Sequence, residues 1–341
     1  MNTYIIAEIG VNHSGSVELA KEMIDAAKKS GADAVKFQTF KAEKLVSAYT
    51  PKVKYQESTT DKEETHYEMI KSLEFLYEDH LPVLDYCREL SIEFISTPYD
   101  VESARFLKSI GVEVFKTASA DIVDLGLQKY IAENASHAII STGMATLGEI
   151  ERVVEIYRRY NCKFTLLHCV SNYPCKLESL NLNVITTLKG AFLCDVGYSD
   201  HAVGSYPAVI AVSMGATIIE KHFTLNKNMI GPDHKASSDP AEFTELVSAI
   251  RLTEAALGSG IKSVQEEEKQ MRSVSRKSLF VVKNIKKGDV LSNEHFTLKR
   301  PGTGIFEVEL NNILGCEATK DLNKGIMLSY GDFKSREIGF L

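Results

Sequence analysis

The chain lacks any apolar run of the roughly 18–20 residues that a membrane span requires, and its N-terminus has no basic segment followed by an apolar core and a cleavage site. These absences argue against a membrane protein and lead us to expect a cytoplasmic one. It also lacks a CxxC pair. The six cysteines, Cys87, Cys162, Cys169, Cys175, Cys194 and Cys316, mostly lie in or beside apolar runs, which favours reduced, packed thiols over a disulfide frame or a zinc site. No excess of positive charge is present: the formal net charge is −7, which argues against nucleic acid as a partner. There is no low-complexity tract, and no glycine-rich dinucleotide fingerprint follows any apolar run. With 341 residues, 44% hydrophobic and 25% charged, the chain suffices for one large soluble domain and a small one.

What is present is an alternation. Eight short apolar runs occupy 4–10 (YIIAEIG), 34–40 (AVKFQTF), 92–98 (IEFISTP), 112–119 (VEVFKTAS), 138–143 (AIISTG), 164–169 (FTLLHC), 192–201 (FLCDVGYSDH) and 216–222 (ATIIEKH). Amphipathic stretches of helical length separate them, among them 16–30, 79–90, 146–160 and 204–214. Continuous apolar strands alternating with helices indicate a parallel sheet covered on both faces, and eight βα units predict a closed (β/α)8 TIM barrel, class α/β. A doubly wound open sheet ranks second. In a barrel the strand ends converge at one mouth, which would gather Glu8, Lys36, Gln38, Thr97, Lys116, Ser119, Ser141, Ser199, His201 and His222.

The barrel is expected over 1–261, ending in a helix at 241–257 that stops at Gly258-Ser259-Gly260. The charge-dense stretch 262–276 reads as a linker. Over 277–341 the character changes to short β-like pieces (SLFVV, FTLKRP, MLSYGDF) punctuated by turns at KKGD, PGTG and NKG. From Arg276 onward there are 11 Lys+Arg against 8 Asp+Glu, so the negative charge belongs to the larger part. This terminal part resembles the small β-rich antifreeze-like (SAF) domain. A polar insertion at 54–73 between the second and third runs is expected to form a short helix over the mouth.

The segments EIGVNHSG, KFQTFKAEKLVS, STPYD, FKTASADI, STGMATLGEIE, LHCVSNYP, GYSDH, EKHFT, GPDHKAS and KRPGTG, in that order and followed by the small domain, resemble the sialic acid synthase family. That family covers N-acetylneuraminate, legionaminate and pseudaminate synthases, and the resemblance spans nearly the whole chain. It implies that phosphoenolpyruvate adds through its methylene carbon to the aldehyde of an open-chain 2-acetamido sugar. N-Acetylmannosamine, its 6-phosphate or a 2,4-diacetamido-dideoxyhexose would serve as acceptor. Water then attacks C2 and phosphate leaves with C–O cleavage. A divalent metal, manganese or alternatively magnesium or cobalt, is implied as cofactor.

Residue by residue, the chain carries groups suited to this chemistry. His201 and His222, 21 residues apart at the ends of neighbouring strands, suit a borderline divalent ion that polarises a carbonyl, and they match the family's metal histidines. Asp200 either orients an imidazole or caps the next helix. Lys36 and Lys116, with the hydroxyls of Thr97, Ser119, Ser141 and Ser199, suit the two anionic groups of phosphoenolpyruvate and match the family's ligands. Glu8, Gln38, Asp121, Ser171, Tyr173 and Asp233 match positions near the sugar. Glu8, a carboxylate ending an apolar strand, binds sugar hydroxyls or moves a proton. Ser171 stands where one branch has Asn, the nearby amide here being Asn172, and Asp121 stands where a common branch has Glu. Arg300 is implied to act in the partner's site of a domain-swapped homodimer, near the acetamido carbonyl. His168 is expected to be structural, His13 to touch substrate or fix its loop, and His234 to be exposed. Two other classes compete: a Schiff-base aldolase using Lys116, and a noncatalytic carbohydrate- or ice-binding protein suggested by the terminal module.

Overall fold

The computed structural model describes residues 2–335 except 48, 54, 55, 57, 58 and 62. It divides into two compact units, Met1–Ser259 and Gly260–Leu341.

The first unit is a closed barrel of eight parallel strands in sequential order. They are β1 (Tyr4–Gly10), β2 (Ala34–Thr39), β3 (Glu93–Pro98), β4 (Val114–Thr117), β5 (His137–Ser141), β6 (Lys163–His168), β7 (Asp195–Asp200) and β8 (Ile218–His222). The open-sheet alternative is thereby removed, since β1 pairs with both β2 and β8. Strand periodicity of two sorts the side chains. Ile6, Ala34, Ile95, Ile139, Leu167 and Ile218 pack together inside the barrel, while their neighbours, such as Ile5, Val35, Phe94 and Ile219, pack against the helices. Two residues above each of those inward positions lies Glu8, Lys36, Thr97, Ser141, Cys169 or Glu220, so the same parity that fills the floor with hydrocarbon fills the mouth with polar groups.

Helices begin where sequence capping dictates. Ser16 caps Val17–Lys29, Thr146 and Glu149 form a capping box on Leu147–Arg159, and Asp239 with Glu242 does so on Pro240–Leu257. Two runs were drawn too long. β7 starts only at Asp195, because Phe192 ends the preceding helix and Leu193 adopts a left-handed φ of 48°. β4 stops at Thr117, because Ser119–Val123 turns into a 3-10 helix. In the insertion, the expected short helix is His66–Ser72, capped by Thr65 and Glu68. Positions 54, 55, 57, 58 and 62 of that insertion lie outside the described residues. No helix among the described residues is long and apolar enough to cross a membrane.

The second unit has its own core, built on Leu279, Val281, Ile285, Leu291, Ile305, Ile313, Leu322 and Leu328. Its regular elements are few: β9 (Ser278–Val281) pairs antiparallel with β10 (Phe296–Lys299), and β11 (Glu317–Ala318) with β12 (Phe333–Lys334). Within the stretch 262–276 the chain forms a helix, Glu268–Ser275, with no buried residue.

Candidate active site

The mouth of the barrel opens into a cavity of about 390 Å³. Of the fifteen expected site residues, thirteen line it: Glu8, Lys36, Gln38, Thr97, Lys116, Ser119, Ser141, Ser171, Tyr173, Ser199, His201, His222 and Asp233. Two do not. Asp121 sits in the 3-10 helix beyond Ser119, half-buried and outside the lining. Arg300 belongs to the second unit, where it is exposed just after β10.

One side of the cavity is a buried charge cluster. Lys36 Nζ is 2.8 Å from Glu8 Oε2 and 3.7 Å from Glu220 Oε2, and it donates to Thr97 Oγ1 at 3.2 Å. Lys116 Nζ donates to Ser141 Oγ at 2.5 Å and to the Thr117 carbonyl at 2.8 Å, with Glu220 Oε1 3.9 Å away. Glu220 thus sits between the two ammonium groups and accepts a hydrogen bond from Ser199 at 2.9 Å. Burial opposes its charge, but Lys116 and Lys36 together hold its carboxyl below the usual range. Burial raises Glu8 in spite of Lys36, and Glu220's charge adds to the effect. Burial lowers Lys116, and the Lys36 charge pushes the same way. Glu220 and Tyr99, which also lines the cavity, were missed in the sequence. The signal for Glu220 was available: it has the parity of His222, two residues on, and therefore points inward with it.

Beside the cluster, Gly143 closes a second wall. Its backbone N–H donates to Ser119 Oγ at 3.0 Å, and a Cβ there would lie 2.4 Å from Ser171 Oγ and 2.8 Å from Ser119 Oγ. A side chain there would have to displace those hydroxyls. Ser171 faces the cavity, whereas Asn172 is exposed and turns its amide to the Pro174 carbonyl at 3.1 Å.

Adjoining the cluster stand the two imidazoles, ring centroids 5.6 Å apart, with the Tyr173 ring 4.2 Å from His201 and 5.4 Å from His222, and with Ser199 Oγ 3.3 Å from His201 Nε2. His201 Nδ1 lies 2.8 Å from the Val170 carbonyl, which can only accept, so that nitrogen carries the proton and Nε2 keeps its lone pair. His222 Nδ1 is buried without a hydrogen-bond partner. Burial lowers both imidazoles, His222 well below its ordinary value with the His201 ring adding, so both stay neutral at neutral pH. Asp200 hydrogen-bonds neither ring and does not cap the helix Tyr206–Ser213: it pairs with Lys221 at 2.6 Å and accepts from Ala202 N–H at 2.9 Å.

Three further histidines named from the sequence are structural. His168 bonds the Leu180 carbonyl at 2.7 Å. His13 accepts from Gly15 N–H at 3.1 Å and packs 4.4 Å from Phe75, fixing its own loop rather than lining the cavity. His234 is buried rather than exposed, because Thr224 Oγ1 holds it at 2.7 Å.

A closed barrel that gathers two lysines, three acidic side chains (Glu8, Glu220 and Asp233) and two neutral imidazoles around one mouth has the layout of an enzyme site. The chain belongs to the NeuB family, whose model matches residues 23–262, and an SAF domain follows over 276–334. It is 44% identical to the N,N'-diacetyllegionaminic acid synthase of Campylobacter jejuni, over 94% of this chain and 96% of that protein. To the enzyme of the same name from Legionella pneumophila it is 43% identical, over 96% and 94%. Among solved structures, the N-acetylneuraminic acid synthetase of Leptospira borgpetersenii in complex with citrate aligns with a TM-score of 0.72 at 35% identity, covering 80% of this chain and 90% of that one.

Proposed function

We propose that the protein condenses phosphoenolpyruvate with an open-chain 2-acetamido sugar to give a nine-carbon 2-keto acid and phosphate. The observation that carries this is one cavity in which two buried ammonium groups and several hydroxyls adjoin a pair of neutral imidazoles, the two groups meeting at Ser199, whose Oγ lies 2.9 Å from Glu220 Oε1 and 3.3 Å from His201 Nε2. A new bond joins C3 of phosphoenolpyruvate to the aldehyde carbon, whose oxygen takes a proton; water then adds at C2, and the C2–O bond breaks with its electrons leaving on phosphate. Lys36 and Lys116, with Thr97, Ser141 and Ser119, whose hydroxyl the Gly143 amide orients, hold the carboxylate and phosphate. Glu220 keeps the two cations charged and apart when the anion is absent. Glu8, hydrogen-bonded by Gln38 at 3.1 Å, is placed to hold a proton for the sugar oxygen.

His201 Nε2 and the unpartnered Nδ1 of His222 fit a divalent cation, of which manganese, magnesium and cobalt are the candidates. Neutral imidazole is the form that binds metal, and the rings are close enough to share an ion. Among the described residues no cluster of three or more His, Cys, Asp or Glu side chains gathers to hold an ion, so this pair would leave other positions to water or substrate. When bound, such an ion polarises the aldehyde.

The acceptor end is apolar. Val11, Leu45 and Val46, with Ile70 and Leu73 of the insertion, form an apolar wall at the mouth. Such a wall suits methyl-bearing groups better than a phosphate, which favours an unphosphorylated 2,4-diacetamido deoxysugar, in keeping with the names of the relatives at 43–44% identity. We further propose a homodimer in which Arg300 of the partner copy meets the acetamido carbonyl. The test is phosphate release from phosphoenolpyruvate with manganese across N-acetylmannosamine, its 6-phosphate and diacetamido sugars, with product masses. Phosphate release and a nine-carbon acid are expected. A borohydride-trapped adduct of Lys116 with pyruvate and no phosphate release would replace the proposal with an aldolase.

A further inference from the structure

We propose that Lys221 is a positioning residue: with Asp200 it clamps the loop that carries His201 to the strand that carries His222, and so sets the gap between the two imidazoles. The inference rests on the functional reading above. Asp200 and Lys221 are register partners across β7 and β8. Each precedes one of the histidines, so each points away from the cavity, toward the helix layer, while the rings point in. Both are almost wholly buried, at 1% and 3% exposure, where a charge is retained only if it is matched.

Lys221 is fully matched. Its ammonium has three protons, and it makes three contacts: Asp200 Oδ2 at 2.6 Å, the Ala202 carbonyl at 2.5 Å and the Gly204 carbonyl at 3.1 Å. Asp200 Oδ1 accepts from Ala202 N–H at 2.9 Å and Tyr198 Oη–H at 3.1 Å. The residues on either side of His201 are therefore tied to β8 through one side chain. His201's carbonyl accepts from Cys175 N–H at 2.8 Å. Neither Lys221 nor Asp200 touches an imidazole, and neither lines the cavity. Their effect on the site passes through the loop 201–204, whose turn uses Gly204 at φ 84°.

The test measures binding of two ligands by the full chain without turnover. Mn2+ is titrated alone by calorimetry, and phosphoenolpyruvate is titrated separately into metal-free protein, for wild type, Lys221→Met and Asp200→Asn. Circular dichroism melts accompany each variant. We expect Mn2+ affinity to fall at least tenfold while phosphoenolpyruvate affinity changes less than twofold, because Lys36 and Lys116 stand on the inner face of β2 and β4 and make no contact with the loop 201–204. Should Lys221→Met fail to fold, Asp200→Asn, which keeps the oxygen that Ala202 and Tyr198 use, decides by the same two titrations. Unchanged Mn2+ affinity, parallel loss of both ligands, or failure of both variants to fold would overturn the proposal. A wild-type chain that binds no divalent ion would instead overturn the functional reading on which it rests.

Discussion

Glu220→Gln is the most informative single change at this site. The carboxylate lies 3.7 Å from Lys36 and 3.9 Å from Lys116, and all three side chains are buried. At an effective dielectric of about 20, each such pair is worth about 4 kcal/mol before desolvation. Desolvation of the carboxylate offsets part of this, and removing one member of a buried ionic cluster costs about 3–5 kcal/mol, because the partners stay buried and uncompensated. In a barrel of this size about 2–4 °C is lost per kcal/mol, so the melting temperature is expected to fall by about 6–20 °C. The sign of the ligand effect sharpens the test. An added anion replaces the missing negative charge between the two ammonium groups, so phosphoenolpyruvate should raise the melting temperature more in the variant than in wild type. Scanning calorimetry of the full chain with and without the ligand measures both. A variant that melts with the wild type, and whose ligand shift is no larger, would refute the charge-cluster reasoning.

Three further outcomes are expected. Burial lifts Asp233 to about 7, with the Glu8 charge adding. A carboxyl raised on folding stabilises fully below its unfolded pKa of about 4 and loses that contribution as pH rises through about 7, so Asp233→Asn should flatten the fall in melting temperature across that window; equal slopes in calorimetry would contradict this. Gly143→Ala places a methyl 2.4 Å from Ser171 Oγ, so phosphoenolpyruvate affinity should drop at least tenfold with Mn2+ affinity unaltered, which calorimetric titration checks. Arg300→Ala should raise the KM for the acceptor while sparing metal binding; unchanged acceptor kinetics would remove the residue from the site.

Much of the barrel was legible because a strand buried on both faces leaves a continuous apolar run, and eight of them appear in order. The ends were less so. Phe192 and Leu193 look like strand residues, but a left-handed Leu193 closes a helix there, a choice made by tertiary packing. At the site, taking polar residues from the run ends recovered the lysines, serines and histidines, yet passed over Glu220. Its neighbour Lys221 is charged too, and only the parity of the strand tells that one faces the substrate cavity and the other the helices. Asp200 was ambiguous for the same reason. The apolar wall was not read from the sequence, because Leu45 and Val46 precede the polar stretch 54–73 and only Ile70 and Leu73 lie at its far end.

Phosphoenolpyruvate carrying 18O in the bridge between C2 and phosphorus tests the central claim most directly, incubated with the chain, Mn2+ and a diacetamido sugar. The proposed reaction, with C–O cleavage, predicts that the label appears in the released phosphate, alongside a nine-carbon keto acid. Label retained in the organic product, or no phosphate release by a folded chain across the acceptor panel, would contradict it.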